Sequence, residues 1–160
     1  MADRIPMTRA GYVKLEADLK QLKSVERPKI VREIEAARAH GDISENAEFH
    51  AAKERQSHIE TRIRQLEDQL ARAQVIDPSG SGAPPHTVRF GVTVLLLDTE
   101  SDEEVRYTIV GEHESDAASG RISVTSPIAR ALLGRAVDDT VVVRVPKGTR
   151  EFEVLAIHID

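Results

Sequence analysis

Two carboxylates lie close together in the segment HGDISENAEFH, which covers residues 40–50. Asp42 directly follows Gly41, and Glu45 stands three positions after Asp42. Carboxylates on an exposed turn stay ionised, and Mg²⁺ prefers oxygen ligands and is often held by one or two carboxylates together with phosphate oxygens. The same spacing fits a capping box, with Asp42 as the N-cap of a helix and Glu45 at its third position. The residues by themselves leave two interpretations open: a helix cap, or half of a metal site that a second molecule completes.

Apolar residues with coiled-coil spacing flank this segment on both sides. The first stripe is Tyr12, Leu15, Leu19, Leu22, Ile30, Ile34 and Ala37, and the second is Ile59, Ile63, Leu66, Leu70 and Ala73. Steps of three and four residues place each stripe on one face of a helix. We expect Pro28 to interrupt the first helix, because proline lacks an amide hydrogen and crowds the preceding turn. The pattern predicts an antiparallel helical hairpin with its tip at residues 41–45.

Past residue 77 the composition and the periodicity both change. The stretch DPSGSGAPP, residues 77–85, is rich in Pro, Gly and Ser and predicts a linker. Runs of mostly alternating, β-branched residues follow, and they predict about five antiparallel strands. SPIARALLG, residues 126–134, interrupts them as a short helix with Ser126 as its N-cap. We therefore expect an α+β protein with two domains: a coiled-coil hairpin over 1–77, a linker over 78–86, and an antiparallel sheet with one short helix over 87–160.

Composition excludes several classes of protein. The chain has 160 residues and no Cys, so disulfides, thiolate catalysis and Cys-ligated zinc are excluded. Aromatic residues make up 3%, too few for a platform that stacks nucleic-acid bases. No apolar run approaches the roughly 20 residues that span a bilayer, and the N-terminus lacks the apolar core of a signal peptide. We therefore expect a cytoplasmic protein that does not enter a membrane.

The net charge of −5 is unevenly distributed along the chain. Residues 1–77 carry as many basic as acidic residues, and the whole deficit lies in residues 78–160. We therefore expect no strong binding to free duplex DNA through a broad basic face.

Arg38 and Lys53 lie on the two arms near the predicted tip, where they are candidates for contacting a phosphate. Glu60 and Arg64 have the spacing of a favourable ion pair within one helix.

The stretch HGDISENAEFHAAKE, residues 40–54, closely resembles the tip signature of the Gre family of bacterial transcript cleavage factors, and within it the GreA type. Four further stretches match that family in order: IPMT at 5–8, LKSVERPKI at 22–30, SPIARALLG at 126–134 and EFEVL at 151–155. The resemblance covers essentially the whole chain. Phe49 departs from the pattern, since many members carry Tyr there.

This resemblance implies both a fold and a task. Members have an N-terminal antiparallel coiled coil and a C-terminal domain similar in fold to FK506-binding proteins. The C-terminal domain docks at the rim of the RNA polymerase secondary channel, and the coiled coil enters that channel. There the factor stimulates the polymerase to cleave backtracked nascent RNA. The resemblance therefore implies a transcription elongation factor rather than an independent enzyme.

The resemblance also assigns roles to particular residues. Asp42 supplies a ligand to a Mg²⁺ ion held jointly with the polymerase, and Glu45 supports that ion or orients the attacking water. Arg38 and Lys53 contact the extruded RNA 3′ end or the channel. The tip structure is formed by Gly41, Ser44, Asn46 and Phe49. We expect a monomer whose partners are RNA polymerase and the 3′ end of the nascent RNA.

Three other interpretations compete with this one. A channel binder of the same fold that inhibits polymerase would need no carboxylate pair, so Asp42 and Glu45 argue against it. A prolyl isomerase is suggested by the C-terminal fold, but only Phe90, Tyr107 and Phe152 are available in that half to line an aromatic pocket. A structural coiled-coil dimer is the third, and it would pair its seam with a second chain.

Overall fold

A computed structural model describes residues 3–41, 46–78 and 85–159. The chain divides into two compact units, one formed by Met1–Asp3 with Tyr12–Ala73 and the other by Arg4–Gly11 with Gln74–Asp160. Residues 4–11 thus group with the sheet-containing unit, which the composition of the N-terminus does not indicate. The boundaries expected at residues 77 and 87 stay predictions. No helix among the described residues is long and apolar enough to cross a membrane.

The first unit is built from helices. The helix α1 covers Arg9–Gln21, a π-helical turn covers Leu22–Glu26, α2 covers Arg27–Arg38, and α3 covers Ala47–Ala71. The first residues of α1, up to Gly11, belong to the second unit. The helices α2 and α3 pack against each other. This arrangement confirms the predicted helical hairpin.

The interruption predicted at Pro28 is the π-helical turn that precedes it. Pro28 lies in the first turn of α2, and the Arg27 N–H donates to the Leu22 carbonyl, five residues back. Proline has no backbone N–H. It is tolerated in the first turn of a helix, because backbone N–H groups there have no acceptor within the helix. The regular α-helical pattern of backbone hydrogen bonds is therefore interrupted between Leu22 and Arg27.

The predicted seams supply most of the buried side chains of the first unit. Among the described residues of this unit, the buried ones are Leu15, Ile30, Ala37, Ala52, Ile63 and Leu66. Ala37 on α2 and Ala52 on α3 are 4% and 1% exposed. Both residues are alanines, so the two arms pack against each other through small side chains near the end of the hairpin.

The second unit contains a curled five-stranded sheet. Its strands are β3 Thr93–Asp98, β4 Glu104–Val110, β5 Arg121–Ser123, β6 Thr140–Val145 and β7 Gly148–His158, in the spatial order β5-β4-β3-β7-β6. The short N-terminal strand β1 (Ile5–Met7) pairs separately with β2 (Ala73–Val75). The expected α+β fold class is confirmed.

One detail of the predicted sheet is wrong, because β5 runs parallel to β4. The other pairs in the sheet, β3 with β4, β3 with β7 and β6 with β7, are antiparallel as predicted. The reason lies between the two strands, where two 3₁₀ turns, Glu112–Glu114 and Ala117–Ser119, carry the chain back before β5 begins. A strand that returns in this way does not form a hairpin with its predecessor, so the sheet is mixed.

The core of the second unit lies between one face of the sheet and the helix α4, Pro127–Leu132. Its buried members are Val88, Val92, Val94, Leu96, Ile109, Ala129, Leu132, Val141, Val143, Phe152 and Val154. The predicted cap of α4 is confirmed, since the Ser126 hydroxyl oxygen accepts from the Ala129 N–H at 3.2 Å.

Candidate functional site at the end of the helical hairpin

Side-chain contacts, namely Lys–Glu and Arg–Glu ion pairs and one His–Glu contact, join the two arms of the hairpin in antiparallel order. The nitrogen–oxygen distances are 3.8 Å for Lys23–Glu67, 2.9 Å for Arg27–Glu60, 2.9 Å for Arg55–Glu33 and 3.5 Å for His40–Glu48. As the residue number rises along the first arm, the number of its partner falls along α3. The described parts of the two arms therefore converge on Gly41 and Asn46.

One of these pairs differs from the Glu60–Arg64 ion pair that the sequence predicts. Glu60 pairs across the hairpin with Arg27, whose Nε also donates to the same carboxylate oxygen at 3.0 Å. Arg64 instead donates to the Thr61 hydroxyl on its own helix at 3.2 Å. Spacing along one helix could not predict this, because the competing partner comes from the opposite arm.

The first arm ends in a tightened turn. The His40 N–H donates to the Ala37 carbonyl at 3.2 Å, and the Gly41 N–H donates to the Arg38 carbonyl at 3.3 Å. Bonds of this short span commonly close the last turn of a helix. Gly41 has φ 114°, a conformation that a side chain disfavours and glycine accepts at little cost. The expected left-handed glycine beyond the helix end is confirmed.

The two predicted catalytic carboxylates and one tip residue lie outside the described residues. These are Asp42, Glu45 and Ser44. Their roles stay predictions. The structure describes the residues on each side of them, Gly41 at the end of the first arm and Asn46 at the start of the second.

Asn46 connects the two arms with a single side chain. Its Oδ1 accepts from the Phe49 N–H at 3.0 Å, which makes it the N-cap of α3. Its Nδ2 donates to the Ala37 carbonyl of α2. The partners leave one orientation for the amide, because an N–H can only donate and a carbonyl can only accept. Asn46 is therefore both a helix cap and a bridge between the helices.

This geometry corrects the predicted position of the cap of the second arm, while Asp42 and Glu45 themselves lie outside the described residues. The helix begins at Ala47 with Asn46 as its N-cap, four positions after the expected cap. Asn is about as favourable an N-cap as Asp, so Asn46 competes with Asp42 for this position. Glu45, three residues after Asp42, favoured Asp42 as the expected cap. The bond from Asn46 to Ala37 depends on the opposite arm, and no local pattern indicates it.

The remaining predicted residues lie around this bridge. Arg38 is the last residue of α2, Lys53 lies on α3, and both are exposed. Within the described ranges neither side chain forms an ion pair, although Lys53 Nζ donates to the Gln56 side-chain oxygen at 3.2 Å. Phe49 is half-buried, and its ring meets that of His50 edge-on at 5.6 Å. Arg38 and Lys53 are thus two exposed cations near the end of the hairpin.

A shallow groove runs between the arms next to this end. It has a volume of about 390 Å³ and is lined by Glu33, Ala36, Ala37, His40, Glu48, Ala51, Ala52 and Arg55. The alanines form an apolar floor, and the Glu33–Arg55 ion pair and the His40–Glu48 contact lie along its sides. The groove exists because the side chains between the two arms are small here.

The prolyl isomerase interpretation finds little support among the described residues. Phe152, one of three aromatics that might line an isomerase pocket, is fully buried in the core of the second unit. The Arg150 guanidinium lies over its ring at 4.9 Å. Across residues 3–41, 46–78 and 85–159, no group of three or more His, Asp or Glu side chains is placed to hold a metal ion.

Comparison with known proteins gives matches over nearly the whole chain. Residues 5–75 match the family model described as transcription elongation factor, N-terminal, and residues 83–159 match the model described as transcription elongation factor, GreA/GreB, C-term. A curated transcription elongation factor GreA from Anaeromyxobacter sp. (strain K) is 59% identical over 154 residues, which are 96% of this chain and 92% of that protein. One from Rhodospirillum rubrum is 54% identical over 98% of each chain. A solved structure of the transcription factor Gfh1 is 32% identical, covers 99% of both chains and has a TM-score of 0.47.

Proposed function

The chain belongs to the GreA/GreB family of transcription elongation factors, and from this premise we propose that it stimulates bacterial RNA polymerase to cleave backtracked nascent RNA. In this proposal the helical hairpin enters the secondary channel of the polymerase and the sheet-containing unit docks outside it. The observation that carries the proposal is the convergence of two antiparallel arms on Gly41 and Asn46, with Asp42 and Glu45 as the acids in the sequence between them.

The donor chemistry of that segment fits a magnesium site. Asp42 and Glu45 offer carboxylate oxygens, the ligand type that Mg²⁺ prefers. Two acids are too few to hold the ion firmly, so the polymerase and the RNA phosphate would complete the site. When bound, the ion stabilises charge on the oxygens of the phosphodiester being hydrolysed. Asp42 acts as a ligand, and Glu45 supports the ion or orients the attacking water. The factor itself would not be an independent enzyme.

The exposed cations near the end of the hairpin support a role in RNA binding. Arg38 and Lys53 are exposed, and among the described residues neither is neutralised by an acid. In the channel they would contact the phosphates of the extruded RNA 3′ end. Since the chain carries a net charge of −5, this attraction would be local. We propose that the chain works as a monomer in the cytoplasm, where the polymerase transcribes.

An arrested elongation complex tests this function directly. Purified protein added with Mg²⁺ is expected to shorten the arrested transcripts at their 3′ ends. Asp42→Asn and Glu45→Gln are expected to abolish cleavage while binding to polymerase stays nearly unchanged. Glu48→Gln is the matched control, because Glu48 is an exposed acid in the first turn of α3, and we expect it to cleave normally.

Two results would count against the proposal. Full-rate cleavage by either Asp42→Asn or Glu45→Gln would show that the carboxylate pair is not the catalytic feature. A wild-type protein that binds polymerase and slows elongation without shortening any transcript would support the alternative, a non-catalytic channel binder.

A further inference from the structure

Asn46 makes two hydrogen bonds that require a side-chain amide. Its oxygen accepts from the Phe49 N–H of α3, and its nitrogen donates to the Ala37 carbonyl of α2. An ionised Asp has acceptors only, and Ser has one short hydroxyl that reaches a local N–H. Both replacements can therefore keep the cap, while the bridge to Ala37 needs the amide of Asn.

The bridge is placed where the described residues of the two arms make few other directional contacts. Ala37 and Ala52 pack there through small, buried apolar side chains, whose contacts do not fix the orientation of one helix against the other. The neighbouring His40–Glu48 pair is 3.5 Å apart, and its side chains are 63% and 74% exposed. Exposed ion pairs contribute little to rigidity, because solvent screens them and both side chains must be ordered. The hydrogen bond from Asn46 to the Ala37 carbonyl is part-buried, so solvent competes with it less.

The bridge also closes a short loop. Ala37 and Asn46 are nine positions apart in the chain, and the acids at 42 and 45 lie within that interval. A cross-link between the ends of a short segment removes much of its freedom to move relative to its supports. One side chain therefore holds the start of α3 to the last turn of α2, four residues before Gly41.

We propose that Asn46 is a positioning residue for RNA cleavage, because it holds the start of α3 to the last turn of α2 on the two sides of the acidic segment. This inference rests on the function proposed above. Catalytic groups that are displaced by about 1 Å can lose a hundredfold in rate, so a loose segment would impair the cleavage step more than polymerase binding. Polymerase affinity would depend on the remainder of the chain and change little.

The central test compares Asn46→Ser with the wild-type protein. Ser keeps an N-cap for α3 and adds no charge, but it cannot bridge to Ala37. At saturating factor we expect transcript cleavage to slow by about tenfold, with the affinity for polymerase, measured by competition, unchanged within about twofold. Asn46→Asp also keeps the cap and loses the donor, so we expect a similar loss.

A control variant and a spectroscopic measurement separate positioning from general folding. Ser24→Ala removes a side-chain hydrogen bond of 2.6 Å to the Lys20 carbonyl on the first arm, and we expect it to cleave normally. In ¹⁵N spectra of the free protein, the Asn46 side-chain amide protons should exchange slowly with water. Asn46→Ser should shift the backbone signals of residues around Ala37 as well as those near Phe49.

Each outcome bears on a specific claim. Wild-type cleavage by Asn46→Ser, or a loss of cleavage matched by an equal loss of polymerase affinity, overturns the positioning role. Rapidly exchanging Asn46 amide protons overturn the bridge itself. Absence of cleavage by the wild-type protein overturns the proposed function, and in that case the spectra still decide whether the bridge exists.

Discussion

The Thr8 amide N–H donates to Glu114 Oε2 at 2.9 Å, which binds the N-terminal segment of the second unit to a 3₁₀ turn more than a hundred residues away. The Gly111 N–H donates to the same oxygen at 2.9 Å, and the Thr8 hydroxyl donates to Oε1. That hydroxyl also accepts from the Gly11 N–H at 3.0 Å at the start of α1. The Glu114 side chain is only 3% exposed. One buried carboxylate thus organises the start of the first helix.

We expect Glu114→Ala to destabilise the protein strongly. The substitution leaves the Thr8 and Gly111 amides without their acceptor, and buried donors left unpaired each cost about 1–3 kcal/mol. The free energy of unfolding from urea titration should fall by roughly 2–4 kcal/mol. Glu112→Ala is the matched control, because Glu112 is an exposed acid in the same turn and should change stability by less than about 0.5 kcal/mol. Equal effects of the two variants would contradict this role.

Gly11 is required by the same carboxylate. A Cβ added there would lie 2.0 Å from Glu114 Oε1, and the Glu114 side chain cannot move away without losing its hydrogen bonds. Alanine normally stabilises a helix relative to glycine, yet here we expect Gly11→Ala to destabilise the fold by about 1–3 kcal/mol. In a Glu114→Ala background the same change should be neutral or stabilising, because the obstructing atoms are gone. A double-mutant cycle by urea unfolding measures the difference. Additive effects would show that the two residues are not coupled.

The helices and most strands could be predicted from local patterns. Steps of three and four residues placed Leu15 and Ile63 at buried positions, and alternation along the chain indicated the strands. The parallel pairing of β5 and the grouping of residues 4–11 with the sheet were not predicted. Both depend on partners that are distant in sequence, and a periodic pattern contains no information about which distant segment supplies the partner.

The same limit applies to the candidate site. Gly41 could be assigned its left-handed conformation from sequence, because glycine beyond a helix end has a local cause. The cap at Asn46 was missed because Asp42 offered a competing local pattern. The bridge from Asn46 to Ala37 and the Arg27–Glu60 pair join opposite arms, so only the folded hairpin reveals them.

Asp98 should make the stability of the protein depend on pH. The Arg150 guanidinium donates to Asp98 Oδ2 at 2.8 Å, and together with the Glu100 N–H it holds the pKa of Asp98 below its usual value of 3.8. A carboxyl group with a lowered pKa in the folded state stabilises the fold above its unfolded pKa of about 3.9, and loses this effect as pH falls through the folded pKa. Asp98→Asn should therefore lower the free energy of unfolding at pH 7, and this loss should shrink below about pH 4.

Urea unfolding at pH 7 and at pH 3 tests this dependence. Asp102→Asn is the control, because Asp102 is exposed in the same loop and its φ of 59° is tolerated by Asn. It should change stability little at either pH. If Asp98→Asn cost as much at pH 3 as at pH 7, the ionised carboxylate would not be the source of the stabilisation.

Arg38 and Lys53 should strengthen the action on backtracked RNA through local charge. Replacing either by Ala is expected to lower cleavage of arrested transcripts several-fold at sub-saturating factor, and the loss should shrink as salt is raised, because phosphate contacts weaken with ionic strength. Arg62→Ala is the matched control, since Arg62 is exposed on the same helix as Lys53 and lies nine residues, roughly 14 Å, further from its start. We expect this control to retain cleavage and the wild-type dependence on salt. An equal loss in Arg62→Ala and Lys53→Ala would mean that overall charge, and not a contact near the end of the hairpin, governs the response.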